Sequence, residues 1–259
     1  MERPTSMQLK RWKRLTLEKY RREEGAFLVE GEKVVGELLK SGWPARAILI
    51  CPEMTKWKQD TEEVPVFQLT KRQWGALSQD KSPEGVMAVA SRPDGSIAGG
   101  MSAEAVASSL DIGPLLLLYQ AANPNNIGAL IRTAHWFGFG AVVLSRNSCE
   151  AVNPKAVRAS MGGIFHIRMI ENVDFERFLP AIAGRFAIVG SDVRTGTSPH
   201  PCGRNTALLL GSESHGLPEE LLALTKEKWK IPGAGGGESL SLPQAGAIMM
   251  YACVRDNII

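Results

Sequence analysis

Few residues in this chain are suited to holding a metal or a disulfide framework. Its 259 residues include only four cysteines and four histidines. Cys51, Cys149, Cys202 and Cys253 lie far apart with no Cys-x-x-Cys pair, and His135, His166, His200 and His215 are equally scattered, so no group has zinc-ligand spacing. The expectation is reduced thiols, no metal and a cytoplasmic location. Long apolar runs are also missing. Nothing approaches the roughly 18 residues a membrane span needs, and Met1-Glu2-Arg3-Pro4 leads into polar sequence rather than the apolar core of an export signal. Gly-Lys-Ser and Gly-Lys-Thr occur nowhere, which excludes a Walker phosphate loop.

What is present is ordinary globular material. A hydrophobic share of 44% with 22% charged residues argues against disorder and fibrous architectures, and the length suits two unequal domains. The net charge of +3 is unevenly spread. Residues 1–24 carry eight Lys or Arg against four Glu, so this segment is +4 and the remainder about −1. A basic segment on a near-neutral body fits a polyanion binder, because Lys and Arg release counterions from phosphates. A solvated helix face accounts for it equally well.

The pattern divides the chain into a basic N-terminal arm (1–24), a small α/β domain (25–91), a linker (92–113) and a larger domain (114–259). A helical run is expected over about 6–22. Within 25–91, the segment AFLVEGEKVVGELLKSGWPARAILI reads as strand, amphipathic helix and strand, with Gly42 and Pro44 closing the helix. VPVFQLT and EGVMAVA supply two further strands around the helical KRQWGALSQ. Residues 92–113 are rich in Gly, Ser and Ala, which is the basis for the linker. Beyond it, PLLLLYQ is a continuous apolar run suited to a strand buried on both faces, and a helix at 128–137 and the strand AVVLS complete a βαβ unit. A helix over 154–161, the strands FAIVGS and ALLLGS, and a closing helix over about 243–256 extend the alternation. The fold class is α/β, with a mostly parallel sheet flanked by helices.

Three loops follow buried strands, at the edge where open α/β sheets bind ligands. In QAANPNNIGALIRTAHWFGFG, Asn123, Asn125 and Asn126 tolerate turn geometry and Gly128 permits close approach. Arg132 lies early in a helix, against the macrodipole, so either an anion or a functional role explains it better than helix stability does, although a surface Arg is equally compatible. In LLLGSESHGLPEELL, Gly211 ends a strand and Glu213 sits in a glycine-bounded loop. This is not a nucleophile elbow, because Ser212 rather than Gly stands two residues before Ser214. In WKIPGAGGGESLSLPQAGAIMMYACVR, Gly233, Gly235, Gly236 and Gly237 leave backbone amides free for a ligand. A dinucleotide fingerprint is excluded by position, since it belongs in the first strand-to-helix turn.

In order and spacing, NPNNIGALIRTAHWFGFGAVVLS, LLLGSESHGL and IPGAGGGESLSLPQAGAIMMY resemble the three motifs of the SpoU/TrmH branch of the SPOUT RNA methyltransferases, and NPKAVRASMGGIFHI resembles the segment between the first two. Residues 25–91 resemble the substrate-binding domain, similar to a ribosomal protein fold, that precedes many members. The resemblance implies transfer of the methyl group of S-adenosylmethionine to a ribose 2′-hydroxyl of structured RNA, with rRNA favoured over tRNA. It also implies a C-terminal trefoil knot and a homodimer, with no metal and no membrane. Backbone groups at Gly211, Ile231 and Leu240 would hold the cofactor, and Asn126, Arg132, Glu213 and Ser239 would form the catalytic set. Arg11 and Arg14 of the arm, with Lys33 and Arg158, are the RNA-binding candidates.

A ribose hydroxyl is a poor nucleophile and must lose its proton as it attacks in line. Arg132 could act as the base, or, because Arg stays protonated, as an electrostatic stabiliser of the forming alkoxide. One departure stands out. The family usually reads Ser-Leu-Asn in the third motif, whereas this chain reads Ser239-Leu240-Ser241, and Gly233 replaces the usual Met. The alternative is therefore a weak or inactive relative serving as an RNA-binding ribosome assembly factor.

Overall fold

The computed structural model describes residues 1–58, 64–92, 103–108, 110 and 113–257. In chain order the elements are α1 (Ser6–Arg14), α2 (Glu18–Glu24), β1 (Ala26–Glu30), α3 (Glu32–Lys40), β2 (Ala45–Ile50), β3 (Val66–Gln68), α4 (Lys71–Gly75) and β4 (Val86–Ser91). Then come α5 (Ala103–Ser108), β5 (Leu115–Leu118), α6 (Pro124–Trp136), β6 (Ala141–Ser145), α7 (Pro154–Ala159), β7 (Arg168–Val173), α8 (Phe175–Ile182), β8 (Ala187–Ser191), β9 (Thr206–Leu210), α9 (Glu219–Leu222), β10 (Glu227–Trp229) and α10 (Leu242–Val254). Counted over the described residues, they form two compact units. One comprises Met1–Pro93 with Val152–His166, the other Asp94–Ala151 with Ile167–Ile259.

The first unit is built on a four-stranded mixed sheet of order β1-β4-β2-β3. Thr5 starts α1 with a capping box, in which its hydroxyl accepts from the Gln8 N–H at 3.2 Å and Gln8 Oε1 accepts from the Thr5 N–H at 2.8 Å. Residues 1–24 are no free arm. Trp12 and Leu15 are buried in the core with Leu28, Leu49, Phe67, Trp74 and Met87, and Trp12 meets Phe67 edge-on at 5.3 Å. Leu9, Trp12 and Leu15 recur at three-residue spacing, so α1 has an apolar stripe that must be covered. The expected helical run breaks in two at 15–17. Arg21 in α2 is buried and donates to the Leu15 carbonyl at 2.8 Å.

Residues 152–166, which the sequence placed within the 114–259 domain, pack in this first unit instead. There α7 lies against β1, Phe165 meets Trp43 edge-on at 5.4 Å, and His166 Nε2 lies 3.3 Å from Glu37 Oε2. Gly162, at φ +93, abuts the Glu37 side chain so closely that a Cβ there would lie 2.5 Å from Glu37 Cβ.

The second unit is a six-stranded sheet of order β10-β8-β9-β5-β6-β7, and every pairing in it is parallel. The central β5 and β9 are buried along their full length, which is why they read as unbroken apolar runs. The 92–113 linker is shorter than expected: α5 packs on α8, Ala107 and Leu110 enter the core of this unit, and Arg185 donates to both their carbonyls at 3.1 and 2.7 Å. The rest of that stretch lies outside the described residues.

Candidate active site

The first and second motif loops leave neighbouring strands. β5 and β9 are adjacent and in register from Leu115 opposite Ala207 to Leu118 opposite Leu210, and Tyr119 N–H donates to the Leu210 carbonyl at 2.9 Å beyond the last pair. After β5, Asn123 caps α6 by accepting from the Asn125 N–H at 2.9 Å, with Pro124 at the first helical position. The helix therefore begins four residues earlier than its apolar pattern suggests. Asn126, half-buried in that first turn, donates from Nδ2 to Glu213 Oε1 at 2.9 Å. This bond ties the two loops together through the residues their motifs single out.

Gly211, the first residue after β9, is buried where a side chain cannot fit. A Cβ there would lie 2.2 Å from the Gly216 carbonyl carbon and 2.5 Å from the Leu217 nitrogen. The turn it opens folds back on itself, with Ser212 and Gly216 exchanging backbone hydrogen bonds of 3.1 and 3.0 Å and Gly216 held at φ +67. Glu213 is exposed at its tip.

The third loop starts two strands away from β9, at the sheet edge, and returns through α10. That helix packs on α6 and β9. Gly246 makes the approach possible, since a Cβ there would lie 2.4 Å from Leu130 Cδ2 and 3.0 Å from Leu210 Cδ1. Ser239 and Leu240 are thus delivered just ahead of a helix seated on the first two motif elements. Ser241 is the N-cap of α10, and Gln244 Oε1 accepts from its hydroxyl at 3.0 Å and its N–H at 3.4 Å. The departure from Asn therefore falls at a helix cap, a position Ser serves as well as Asn.

Arg132 is exposed and forms no ion pair among the described residues, Ser239 makes no hydrogen bond among them, and neither touches the Asn126–Glu213 pair. No main-chain hydrogen bond engages residues 231–240 among the described residues, and a Cβ at Gly233, Gly235, Gly236 or Gly237 would meet nothing within 4 Å. The backbone polar groups expected to hold a cofactor, those of Ile231 and Leu240 included, are therefore free to do so. Of the RNA-binding candidates, Arg11 pairs with Glu24, Arg14 lies 5.1 Å over the Tyr20 ring, and Arg158 pairs with Asp80, whereas Lys33 is exposed and forms no ion pair among the described residues. The described residues hold no group of His, Cys, Asp or Glu arranged for a metal.

Comparison with known proteins meets this geometry. Residues 114–251 match the SpoU rRNA methylase family, and residues 6–88 match an MRM3-like substrate binding domain. The chain belongs to the SpoU rRNA methylase family. It is 30% identical, over 97% of both chains, to a 23S rRNA (guanosine(2553)-2′-O)-methyltransferase of Bacillus subtilis. It is 26% identical, over 92% of its own length and 85% of the relative's, to a 23S rRNA (uridine(2479)-2′-O)-methyltransferase of Streptomyces viridochromogenes. A TrmH-family protein of Porphyromonas gingivalis superposes with a TM-score of 0.81 at 28% identity, covering 98% of this chain and 99% of that one. A SpoU methyltransferase from Streptomyces viridochromogenes, solved with AdoMet, shares the fold with a TM-score of 0.78 at 23% identity, over 98% of this chain and 99% of that one.

Sequence reasoning missed a second cluster in this SpoU-family unit. The Cys202 N–H donates to the Cys253 carbonyl at 2.9 Å, and the Cys202 thiol donates to the His200 carbonyl at 3.5 Å. The Cys253 thiol, aided by the nearby His200 imidazole, brings the Cys202 thiol down to about 7, while Cys202 and burial push Cys253 up. His200 Nε2 lies 2.7 Å from Glu227 Oε1, and the Pro201 carbonyl and Glu227 together raise its pKa. Burial opposes ionisation of Glu227, but hydrogen bonds from Thr197, Trp229 and His200 hold it below the usual carboxylate range. No spacing rule links Cys202 to Cys253, so nothing in the sequence signalled the pair.

Proposed function

We propose that this protein transfers the methyl group of S-adenosylmethionine to a ribose 2′-hydroxyl of ribosomal RNA. The observation that carries the reading is the gathering of the three motif segments at one edge of a parallel sheet, in a chain that matches a 2′-O-methyltransferase from end to end. The residues fit the cofactor, because the free backbone of 231–240 offers donors and acceptors while Gly211, with no side chain of its own, lets the turn after β9 close tightly. When bound, S-adenosylmethionine supplies an electrophilic methyl on a sulfonium.

The chain's own residues then have separable tasks. Gly211, Ile231 and Leu240 hold the cofactor through their backbones. Asn126 and Glu213 brace the two central loops against each other and face the sugar, and Ser239 contributes a further hydroxyl to it. Arg132 has no carboxylate partner among the described residues, so its charge is available to the oxygen that develops negative charge as the ribose hydroxyl loses its proton. The first unit binds the RNA.

A second copy of the chain completes the molecule in this reading. Trp136, Ile248 and Tyr251 expose 83%, 43% and 54% of their surface along α6 and α10, and the Phe137 and Tyr251 rings stand 5.9 Å apart across the two helices. An exposed apolar face of this kind suits a homodimer contact. The fold α10 makes back onto α6 and β9 is where a trefoil knot would close. No helix among the described residues is long and apolar enough to cross a membrane, in keeping with a cytoplasmic enzyme acting on ribosomal RNA.

The test is transfer from labelled S-adenosylmethionine to unmodified rRNA, with tRNA alongside. Transfer to rRNA is expected. Arg132→Ala should lower kcat by roughly 10²–10³ with cofactor affinity unchanged, the loss typical of removing one preorganised charge-stabilising donor. Transfer that survives Arg132→Ala intact would overturn the assignment of that residue, and absence of transfer to any RNA would overturn the function.

A further inference from the structure

The cations expected to contact RNA are mostly committed within the first unit, whereas a different set is not. Lys10, Lys13 and Arg72 are exposed, form no ion pair among the described residues, and line one groove of about 500 Å³ between α1 and α4. Leu9, Ala76 and Leu77 also line it, together with Thr70 and Gln73, and no carboxylate appears among these lining residues. Leu77 is buried and Leu9 packs against the core, so the groove has a rigid apolar floor. Lys10 and Lys13, three residues apart on a helix, present their charges side by side roughly 5–6 Å apart at Cβ. The neighbouring cations of the same helices, which do not line the groove, are paired: Arg11 is held by Glu24 of α2, and Lys71 of α4 lies 3.7 Å from Glu53.

We propose that this groove is where the first unit takes hold of its substrate, clasping the sugar-phosphate backbone of the RNA with Lys10, Lys13 and Arg72. The inference rests on the methyltransferase reading for the identity of the RNA but not for the existence of the site. An apolar floor under a cationic, carboxylate-free rim matches a nucleic acid strand, whose phosphates pair with the rim while sugar and base faces cover the floor. Contacts of this kind position the chain without reading its sequence, and their signature is a dependence on salt.

The experiment uses the full-length protein and an unmodified large-subunit rRNA transcript. Lys10→Gln, Lys13→Gln and Arg72→Gln are combined in one variant. Lys19→Gln, Arg22→Gln and Lys40→Gln combined, three cations of the same unit already paired with Glu23, Glu18 and Glu37, serve as the charge-matched control. At about 0.7 per phosphate contact, loss of three contacts should flatten the slope of log affinity against log salt by about two. The wild type should then lose roughly twentyfold more affinity than the groove variant between 50 and 200 mM salt. KM for RNA should rise at least tenfold, with kcat and S-adenosylmethionine affinity unchanged. If wild type transfers methyl groups and the groove variant matches it in slope and KM, the groove proposal is overturned and the function stands. An equal loss in the control also overturns it, since bulk charge would then suffice, as does a variant that keeps its RNA affinity but no longer binds polyglutamate. If wild type transfers nothing yet the groove variant alone loses RNA affinity and salt slope, the site stands and the function fails.

Discussion

Replacing Gly211 with alanine tests whether the turn after β9 is the rigid part of the cofactor site. The added methyl would sit 2.2 Å from the Gly216 carbonyl carbon, 2.5 Å from its oxygen and 2.5 Å from the Leu217 nitrogen, against an ordinary carbon contact of about 3.5–4.0 Å. All three obstacles are main chain, so no side chain can swing aside, and the strand opposite must retreat by about an ångström or more. That retreat breaks the Ser212–Gly216 exchange, two hydrogen bonds of 3.1 and 3.0 Å worth about 0.5–1.5 kcal/mol each. Overpacking of a closed site costs about 1–3 kcal/mol by itself. Taking about 1–3 kcal/mol as the local loss, the dissociation constant for S-adenosylmethionine should rise about 5- to 150-fold. Calorimetric titration with the cofactor reads this directly, and a thermal melt shows whether the damage stays in the turn. Gly216→Ala is the contrasting case, because its Cβ would meet nothing within 4 Å and only the φ of +67 resists it, at about 1–2 kcal/mol. Should Gly211→Ala bind and melt like wild type, the closed-turn argument is wrong.

Other consequences are as direct. In a double-mutant cycle of Asn126→Ala and Glu213→Ala, the exposed hydrogen bond should give a coupling of about 0.5–1 kcal/mol in stability, and a coupling near zero would deny that it links the loops. Iodoacetamide should alkylate Cys202 with a rate that is half-maximal near pH 7, and Cys253→Ala should move the midpoint upward towards that of a free thiol; an unmoved midpoint refutes the thiol pairing. Because its folded pKa is raised, His200 contributes stability that is complete below its ordinary value of 6.5 and lost as pH climbs through the raised value. Glu227, lowered, contributes above its ordinary 4.5 and loses that contribution as pH falls through the depressed value. The Tm advantage of wild type over His200→Gln should therefore be greatest between about pH 4.5 and 6.5 and shrink towards pH 8, and a difference that grows with pH would contradict the pairing.

Elements buried on both faces were the ones most legible in the sequence. β5, β6 and β9 carry unbroken apolar runs because helices cover both sides of a parallel sheet, and no polar face interrupts the pattern. β7 has no such signature. It lies at the edge of the sheet, where Arg168 and Glu171 break the apolar run. The start of α6 was misplaced because apolar periodicity begins only at Ile127, whereas the cap at Asn123 fixes the helix end. Asn126 and Glu213 could be named from their motifs, but their contact depends on β5 and β9 being neighbours although 87 residues separate the pair. The docking of α1 is legible in the three-residue spacing of Leu9, Trp12 and Leu15, whereas the charge of residues 1–24 says nothing of it.

The placement of residues 152–166 has a bearing on how the polypeptide matures. During synthesis the first unit cannot finish folding when residue 93 leaves the ribosome, because α7 and Phe165, which pack on β1 and Trp43, emerge only some 60 to 70 residues later. At roughly 5–20 residues per second that is a wait of several seconds, during which the part of β1 that α7 covers stays open. A fragment ending before residue 152 inherits the same open patch permanently, so solubility of the isolated N-terminal piece should depend on supplying the later segment, either fused or as a separate peptide.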